Sequence, residues 1–440
     1  MTDLRQSARL IWEAALSAAN PATCIRQFLQ INNGSLVVAG KNTPIKGRVL
    51  VIGAGKATAR MAQVVEEILG DYVTGGLIVT KYGHALPLRR IRLIEAGHPI
   101  PDAEGIRGVQ ETRDLLKNLS EEDIVLCLIS GGGSALWPAP AEGITLQMKQ
   151  DVTQALLRAG ATIRELNAVR KHLSEIKGGQ LARLAFPARV ISLIMSDVIG
   201  DPIDFIASGP TAPDTTSFSE ALAIIQKYGA RIPEAVLDRL DQGAKGRIPE
   251  TPKPAETIFQ RVENHIVANN RLLVDAAAEK ARELKFNTMI LATEIEGEAK
   301  EVGGVFAAMA REIGNRSNPI RTPACILAAG ETTVSVRGTG SGGRNQEMAL
   351  ACAIAMAARS SPAPACFASV ATDGTDGPTN AAGGLVDEST CARGLELGLT
   401  PAKFLAANDS YHFLQATGDL IVTGPTQTNL MDLQILLVSR

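Results

Sequence analysis

Histidine and aromatic residues are scarce in this chain, charge of one sign is not in excess, and no apolar run is long. Each shortage closes off a class of function. The five histidines, His84, His98, His172, His265 and His412, show no metal-ligand spacing with one another, which argues against a histidine-built metal centre. The six cysteines, Cys24, Cys127, Cys325, Cys352, Cys366 and Cys391, lie far apart, without the close pairs of a zinc or redox motif, and read as reduced core residues. A formal charge of -2 supplies neither a basic field for nucleic acid nor an acidic tail for a cationic partner. The longest apolar run, Met348 to Ala358, falls well short of the roughly 20 residues that span a bilayer. Residues 1–19 mix acids, bases and apolar side chains at helical spacing, unlike a signal peptide. The expectation is a cytoplasmic protein with a small-molecule partner, no nucleic acid and no membrane; homo-oligomerisation stays open.

What is present is length and glycine. A chain of 440 residues exceeds the roughly 250–300 residues that one hydrophobic core serves, and 41 glycines suit many tight strand-to-helix turns. After two N-terminal helices, apolar runs alternate with amphipathic stretches: RVLVIGAG at 48–55, GGLIVT at 75–80, IRLIEAG at 91–97, DIVLCLIS at 123–130 and RVISLIMSDV at 189–198. That alternation predicts an α/β fold with a Rossmann-like, doubly wound parallel sheet and ligands at the strands' C-terminal ends. The proline-, lysine- and glutamate-rich segment Asp241 to Thr257 reads as an exposed connection, dividing the chain into domains 1–245 and 246–440. Beyond it a second α/β series begins with HIVANN and TMILATE, and continues through ACILAAGETTVSV, FASVATDGTDG and DLIVTG.

Several strand ends carry candidate chemistry. In VLVIGAGKATARMA, Gly53, Gly55 and Lys56 sit between a strand and a helix start, where open N–H groups favour anions. A dinucleotide fingerprint would need a third glycine where Thr58 stands and an acid near Lys81, so a nicotinamide site is disfavoured. In LCLISGGGSALWPAP, Gly131, Gly132 and Gly133 between Ser130 and Ser134 form an anion-binding nest. No Walker sequence and no G-x-S-x-G elbow is present, which argues against a P-loop NTPase and an esterase. Asp197 ends a strand and Asp201 follows a glycine; either suits Mg²⁺ with nucleotide phosphates, or a helix cap or turn. Arg170, Lys171, His172 and Lys177 precede a Gly-Gly turn, some of them facing solvent, and His98 in a proline-framed loop is a candidate substrate contact. In the second half, Arg344 opens an apolar helix from a glycine loop, Asp373 and Asp376 follow a strand, and AANDSYHFL carries Asn408. Arg344 at a helix N-terminus suits a phosphoryl group, and the two aspartates a metal or a hydroxyl proton.

IGAGKA, GHPIPDAEG, SGGGSAL, RKHLSEIKGGQLA, SDVIGDPIDFIASGPT, GETTV, GGRNQE, ATDGTDGPT and GPTQTNLMDLQILLV occur in this order along nearly the whole chain. Together they resemble the glycerate 2-kinase family with a C-terminal MOFRL domain. The resemblance implies ATP- and Mg²⁺-dependent phosphorylation of D-glycerate to 2-phosphoglycerate in an interdomain cleft. It also implies essential roles for Lys56 and Arg344, which domain closure would bring to one phosphoryl group. Asp197 or Asp373 would then carry Mg²⁺ or orient the hydroxyl. The nest at 131–133, with Ser130, Ser134, His98, Lys177 and Asn408 as further contacts, would hold nucleotide phosphates or the glycerate carboxylate. Two other readings stand beside it: a hydroxypyruvate or tartronate reductase using NAD(P)H, and a non-catalytic sensor of phosphorylated acids.

Overall fold

The computed structural model describes residues 3–229, 231–359 and 362–439. They form two compact units, one of residues 21–267 and one joining residues 3–20 to 268–439.

The first unit is organised by a six-stranded sheet. Numbered along the chain, its strands are Val49–Ala54, Val73–Lys81, Ile91–Ala96, Ile124–Ile129, Arg189–Met195 and Val262–Ala268, in the order 3-2-1-4-5-6. Strands one to five are parallel. The two central runs, VLVIGA and IVLCLI, are buried at every residue, as parallel strands with helices on both faces must be. Between strands one and four the winding reverses, which opens a crevice at their C-terminal ends. A small antiparallel sheet of Leu29–Asn32, Ser35–Val38 and Lys41–Pro44 was not among the expected elements. Its signal is Asn33-Gly34, both at positive φ (47° and 73°), the two-residue hairpin turn that matches strand twist.

The second unit holds a mixed six-stranded sheet in the order Asn287–Ile295, Ala324–Gly330, Asp432–Val438, Ala365–Ala371, Gly383–Asp387, Leu420–Ile421. Its central strand, Asp432–Val438, is antiparallel to both neighbours. Helices Ala299–Arg316 and Arg344–Ala357 supply much of one core, around Phe306, Phe367 and Leu436.

The units differ from the expected domains 1–245 and 246–440. Helix Leu4–Ala18 buries Ala8, Ile11, Trp12 and Ala15, and this stripe packs against helix Asn270–Glu283 and two strands of the second sheet. Arg5 adds ion pairs to Asp387 (2.6 Å) and Asp419 (2.8 Å). At the other limit, residues 246–267 stay with the first unit because Val262–Ala268 completes its sheet. The supposed exposed connection is partly clamped: buried Thr251 donates its hydroxyl to Asp214 at 2.9 Å, and the Asp214 N–H donates to the Pro252 carbonyl at 2.9 Å. Part of its polar composition therefore serves internal hydrogen bonds, while residues 245–247 and 254–255 are exposed. Among the described residues no helix is long and apolar enough to cross a membrane.

Arg5 provides a first test of this arrangement. Asp419 keeps Arg393 as a partner at 2.6 Å, and the Arg5 side chain is 32 % exposed, so Arg5→Ala is expected to cost about 1 kcal/mol. Calorimetry should show a lowered transition of the unit containing residues 268–439. An unchanged transition there would remove the helix from that unit's stability.

Candidate functional site

The crevice of the first unit gathers most of the sequence-predicted residues. Lys56 follows strand one, His98 strand three, Ser130–Ser134 strand four and Asp197 strand five. The glycine nest turns tightly, with Gly132 at φ 86°. A side-chain carbon on Gly132 would sit 2.9 Å from the His98 ring and 3.5 Å from Lys56 Cγ. Only glycine allows these three segments to meet.

Two of the expected phosphate seats behave differently. At the start of helix Thr58–Leu69 the N–H groups are already used: Lys56 donates to the Gly131 carbonyl (2.9 Å), Ala57 to Ser130 Oγ (3.0 Å) and Thr58 to the Gly55 carbonyl (3.3 Å). Gly53 and Gly55 are packing residues, because a side chain there would meet the Leu128 carbonyl at 2.3 Å and Ser130 Oγ at 2.1 Å. Ser130 is itself buried and spent on Ala57. This first turn therefore has little left to offer a pyrophosphate. The nest is the open seat: Gly131 and Gly132 donate their N–H groups to no described residue.

Beside the nest lies a cavity of about 270 Å³. Its polar wall includes His98, Lys149, Gln150, Thr153, Arg170 and Lys177, and its apolar wall includes Pro138 and Leu146; no carboxylate of the described residues lines it. Lys177 is only 2 % exposed and donates from Nζ to the carbonyl (2.8 Å) and hydroxyl (3.0 Å) of Ser134. Burial, and then the neighbouring Lys149 and Arg170, hold its pKa well below the ordinary lysine value. Lys149 donates to the Pro138 carbonyl at 2.5 Å; burial, with Arg170 and Arg239, lowers its pKa to about 7. Burial lowers the Arg170 pKa as well, and that guanidinium forms no ion pair with any described residue. Basic groups crowded in this way, with Glu175 the acidic group acting on Lys149, favour a bound anion. Ser134 Oγ also lies 3.0 Å from Ser208 Oγ, which bonds Asn167 Oδ1 at 3.1 Å. Ala207 and Ser208 are both held at positive φ (51° and 62°), a strained conformation that surrounding packing must maintain.

The rest of the basic run is structural. Lys171 is buried against Asp204 (3.1 Å) and Asp214 (3.3 Å), and His172 is buried between the Ala168 carbonyl (2.7 Å) and Glu250 (3.2 Å). Lys171, His172 and Lys177 are buried and Arg170 is half-buried, so the run is less exposed than expected. Asp197 is half-buried and outside the cavity wall. Lys149, the contribution of Arg170, and Ser208 with Asn167 were missed. Lys149 had a readable signal, since it shares a buried stripe with Val152 and Leu156 on helix Leu146–Arg158, and a lysine on such a stripe needs a polar destination.

In the second unit Arg344, Asp373 and Asn408 are engaged locally. Arg344 grips the buried Asp432 with two bonds, Nε to Oδ2 at 2.5 Å and Nη2 to Oδ1 at 3.0 Å, and reaches Glu331 at 2.7 Å. Burial opposes its charge, but Asp432 more than compensates and raises the guanidinium pKa. Asp432 is pushed up to about 6 by burial, against the pull of Arg344. The N-terminus of helix Arg344–Ala357 is occupied by buried Asp376, which accepts the N–H groups of Asn345 (3.2 Å) and Gln346 (2.9 Å). The expected pairing of a guanidinium with an open helix N-terminus is thus replaced by internal carboxylates. Asp376 is a helix cap, Asp373 accepts the Thr375 N–H at 3.0 Å in a turn, and Asn408 Oδ1 accepts Arg337 (2.8 Å) and Gly338 (2.9 Å) N–H groups. Among the described residues no group of three or more His, Cys, Asp or Glu could hold a metal ion.

Comparison with known proteins places the chain in a family. Residues 7–241 match the model of a domain of unknown function, DUF4147, and residues 324–432 match the MOFRL family. Glycerate 2-kinase of Pyrococcus horikoshii is 41% identical over 99% of this chain and 98% of its own length. A putative hydroxypyruvate reductase of Agrobacterium vitis is 42% identical over 99% of the chain and 94% of its own length. The crystal structure of glycerate kinase from Thermotoga maritima superposes with a TM-score of 0.88 at 40% identity, covering 100% of both chains. On these grounds the chain belongs to the glycerate 2-kinase family, built from DUF4147 and MOFRL regions.

Proposed function

We propose that this protein phosphorylates D-glycerate at its 2-hydroxyl with ATP, giving 2-phosphoglycerate. The observation that carries the reading is the cavity beside the nest, whose wall includes Lys149, Arg170 and Lys177 and no carboxylate among the described residues. Its volume lies just under the ~300–1,000 Å³ of drug-sized pockets, which suits a three-carbon acid better than a nucleotide. The open N–H groups of the nest and the neighbouring Lys56 then offer charge to a phosphoryl group. Phosphoryl transfer needs mainly such positioning and neutralisation. Mg²⁺ is usually held by one or two carboxylates together with substrate phosphates; Asp197 would supply a carboxylate there, and the ion would neutralise phosphate charge.

The reductase reading has less support. The turn at Gly55 spends its N–H groups internally, where a dinucleotide-binding turn would offer them to pyrophosphate. The test is direct. Purified protein with D-glycerate, ATP and Mg²⁺ should release ADP and place phosphate on the 2-oxygen. Oxidation of NADH or NADPH by hydroxypyruvate, with no ADP from glycerate, would reverse the assignment.

A further inference from the structure

We infer that Lys149, Arg170 and Lys177 seat the carboxylate of the acceptor, and that Lys149 is a specificity-determining residue of this subsite. The inference rests on the proposed reaction and assigns the acceptor's place within it. Three observations converge. All three cations line one small cavity with no acidic residue in its wall. Arg170 is without an ion-pair partner among the described residues, and a guanidinium fork matches a carboxylate with two parallel bonds. The other wall, with Pro138 and Leu146, is apolar and suits a short carbon skeleton. The nest and Lys56 are thereby left to the phosphoryl end.

The surroundings of Lys149 give the subsite a pH signature. Arg170 and Arg239 oppose its charge, and Glu175 favours it. Glu175 is itself paired with Arg113, while Lys177 and His98 share the cavity. Burial, with Arg170 and Arg239, lowers the Lys149 pKa to about 7. A bound carboxylate favours the ammonium and raises that value, so binding takes up a proton above pH 7. Affinity is then greatest below pH 7 and falls as pH rises, by up to about ten-fold per pH unit for each proton taken up.

The test is titration calorimetry with sodium D-glycerate from pH 6 to 9, beside steady-state kinetics, on wild type, Lys149→Met and Lys149→Arg. Lys149→Met should weaken glycerate binding and raise KM by about 30-fold or more, with kcat within about three-fold of wild type. It should melt no lower than wild type, since a buried lysine is replaced by an apolar side chain of similar length. Lys149→Arg stays protonated; it should bind glycerate with one proton less pH dependence than wild type. Wild-type affinity and pH slope in Lys149→Met would overturn the subsite even if turnover is normal. Conversely, Lys149-dependent binding of glycerate without any phosphorylation would leave the subsite standing and remove the proposed reaction.

Discussion

Lys56→Ala is expected to lower turnover of D-glycerate by about 10²–10³-fold, the usual loss when one preorganised charge-stabilising donor is removed, while the protein stays folded. The reason for expecting both lies in the same turn. The backbone of Lys56 is fixed by its N–H bond to the Gly131 carbonyl at 2.9 Å, which any residue at the position would retain. Its side chain lies beside the nest, with Cγ 3.5 Å from where a side-chain carbon on Gly132 would sit. Truncation therefore removes one ammonium while the backbone bond to Gly131 stays. Because the proposed role of that ammonium is to serve charge developing on the phosphoryl group and not the acceptor's carboxylate, kcat should fall and KM for glycerate should hardly move. Lys149→Met should show the opposite split. Kinetics and circular dichroism on the purified variant check the prediction; a kcat within three-fold of wild type would take Lys56 out of the reaction.

The contrast between these two lysines shows how far the chain could be read before its structure. The strands around the crevice were legible because VLVIGA and IVLCLI are unbroken apolar runs, and runs covered on both faces have few other options. Lys56 and the nest were legible because they follow those runs directly. The antiparallel centre of the second sheet was not, since Asp432–Val438 is an apolar run like the others and nothing local encodes its direction. Lys149 escaped because helix patterning was used to find elements and not to ask which polar residues lie on their buried stripes. Gly53 and Gly55 looked like ligand contacts, yet they exist to let strand one approach Leu128 and Ser130. Close packing and close ligand approach demand the same residue, and the sequence does not separate them. The partner of Arg344 was not legible for a related reason: it stands 88 residues further on, beyond the reach of any local motif.

That partner carries the second large effect. Asp432 is fully buried, whereas the Arg344 side chain is 31 % exposed. Removing one member of a buried pair usually costs ~3–5 kcal/mol, because the other is left desolvated without compensation. Arg344 keeps Glu331 at 2.7 Å and some contact with water, so Asp432→Ala is expected near the lower end, about 3 kcal/mol. For a unit of this size each kcal/mol moves the midpoint by roughly 2–4 °C, and its calorimetric transition should fall by about 6–12 °C. Arg344→Ala should cost less, since Asp432 can discard its charge: its carboxyl is already pushed up to about 6 by burial, and losing the guanidinium drives it higher. The sign follows. A carboxyl raised in the folded state contributes stability that is present below its unfolded value and is lost as pH rises through the folded one. Without Arg344 that loss moves to higher pH, so the gap between Arg344→Ala and wild type should be smallest in acid and should widen toward neutral pH. Melts of both variants between pH 5 and 8 decide the matter. If Arg344→Ala proved the more damaging to stability, or if Asp432→Ala melted within 2 °C of wild type, the pair would not hold this unit as its geometry implies.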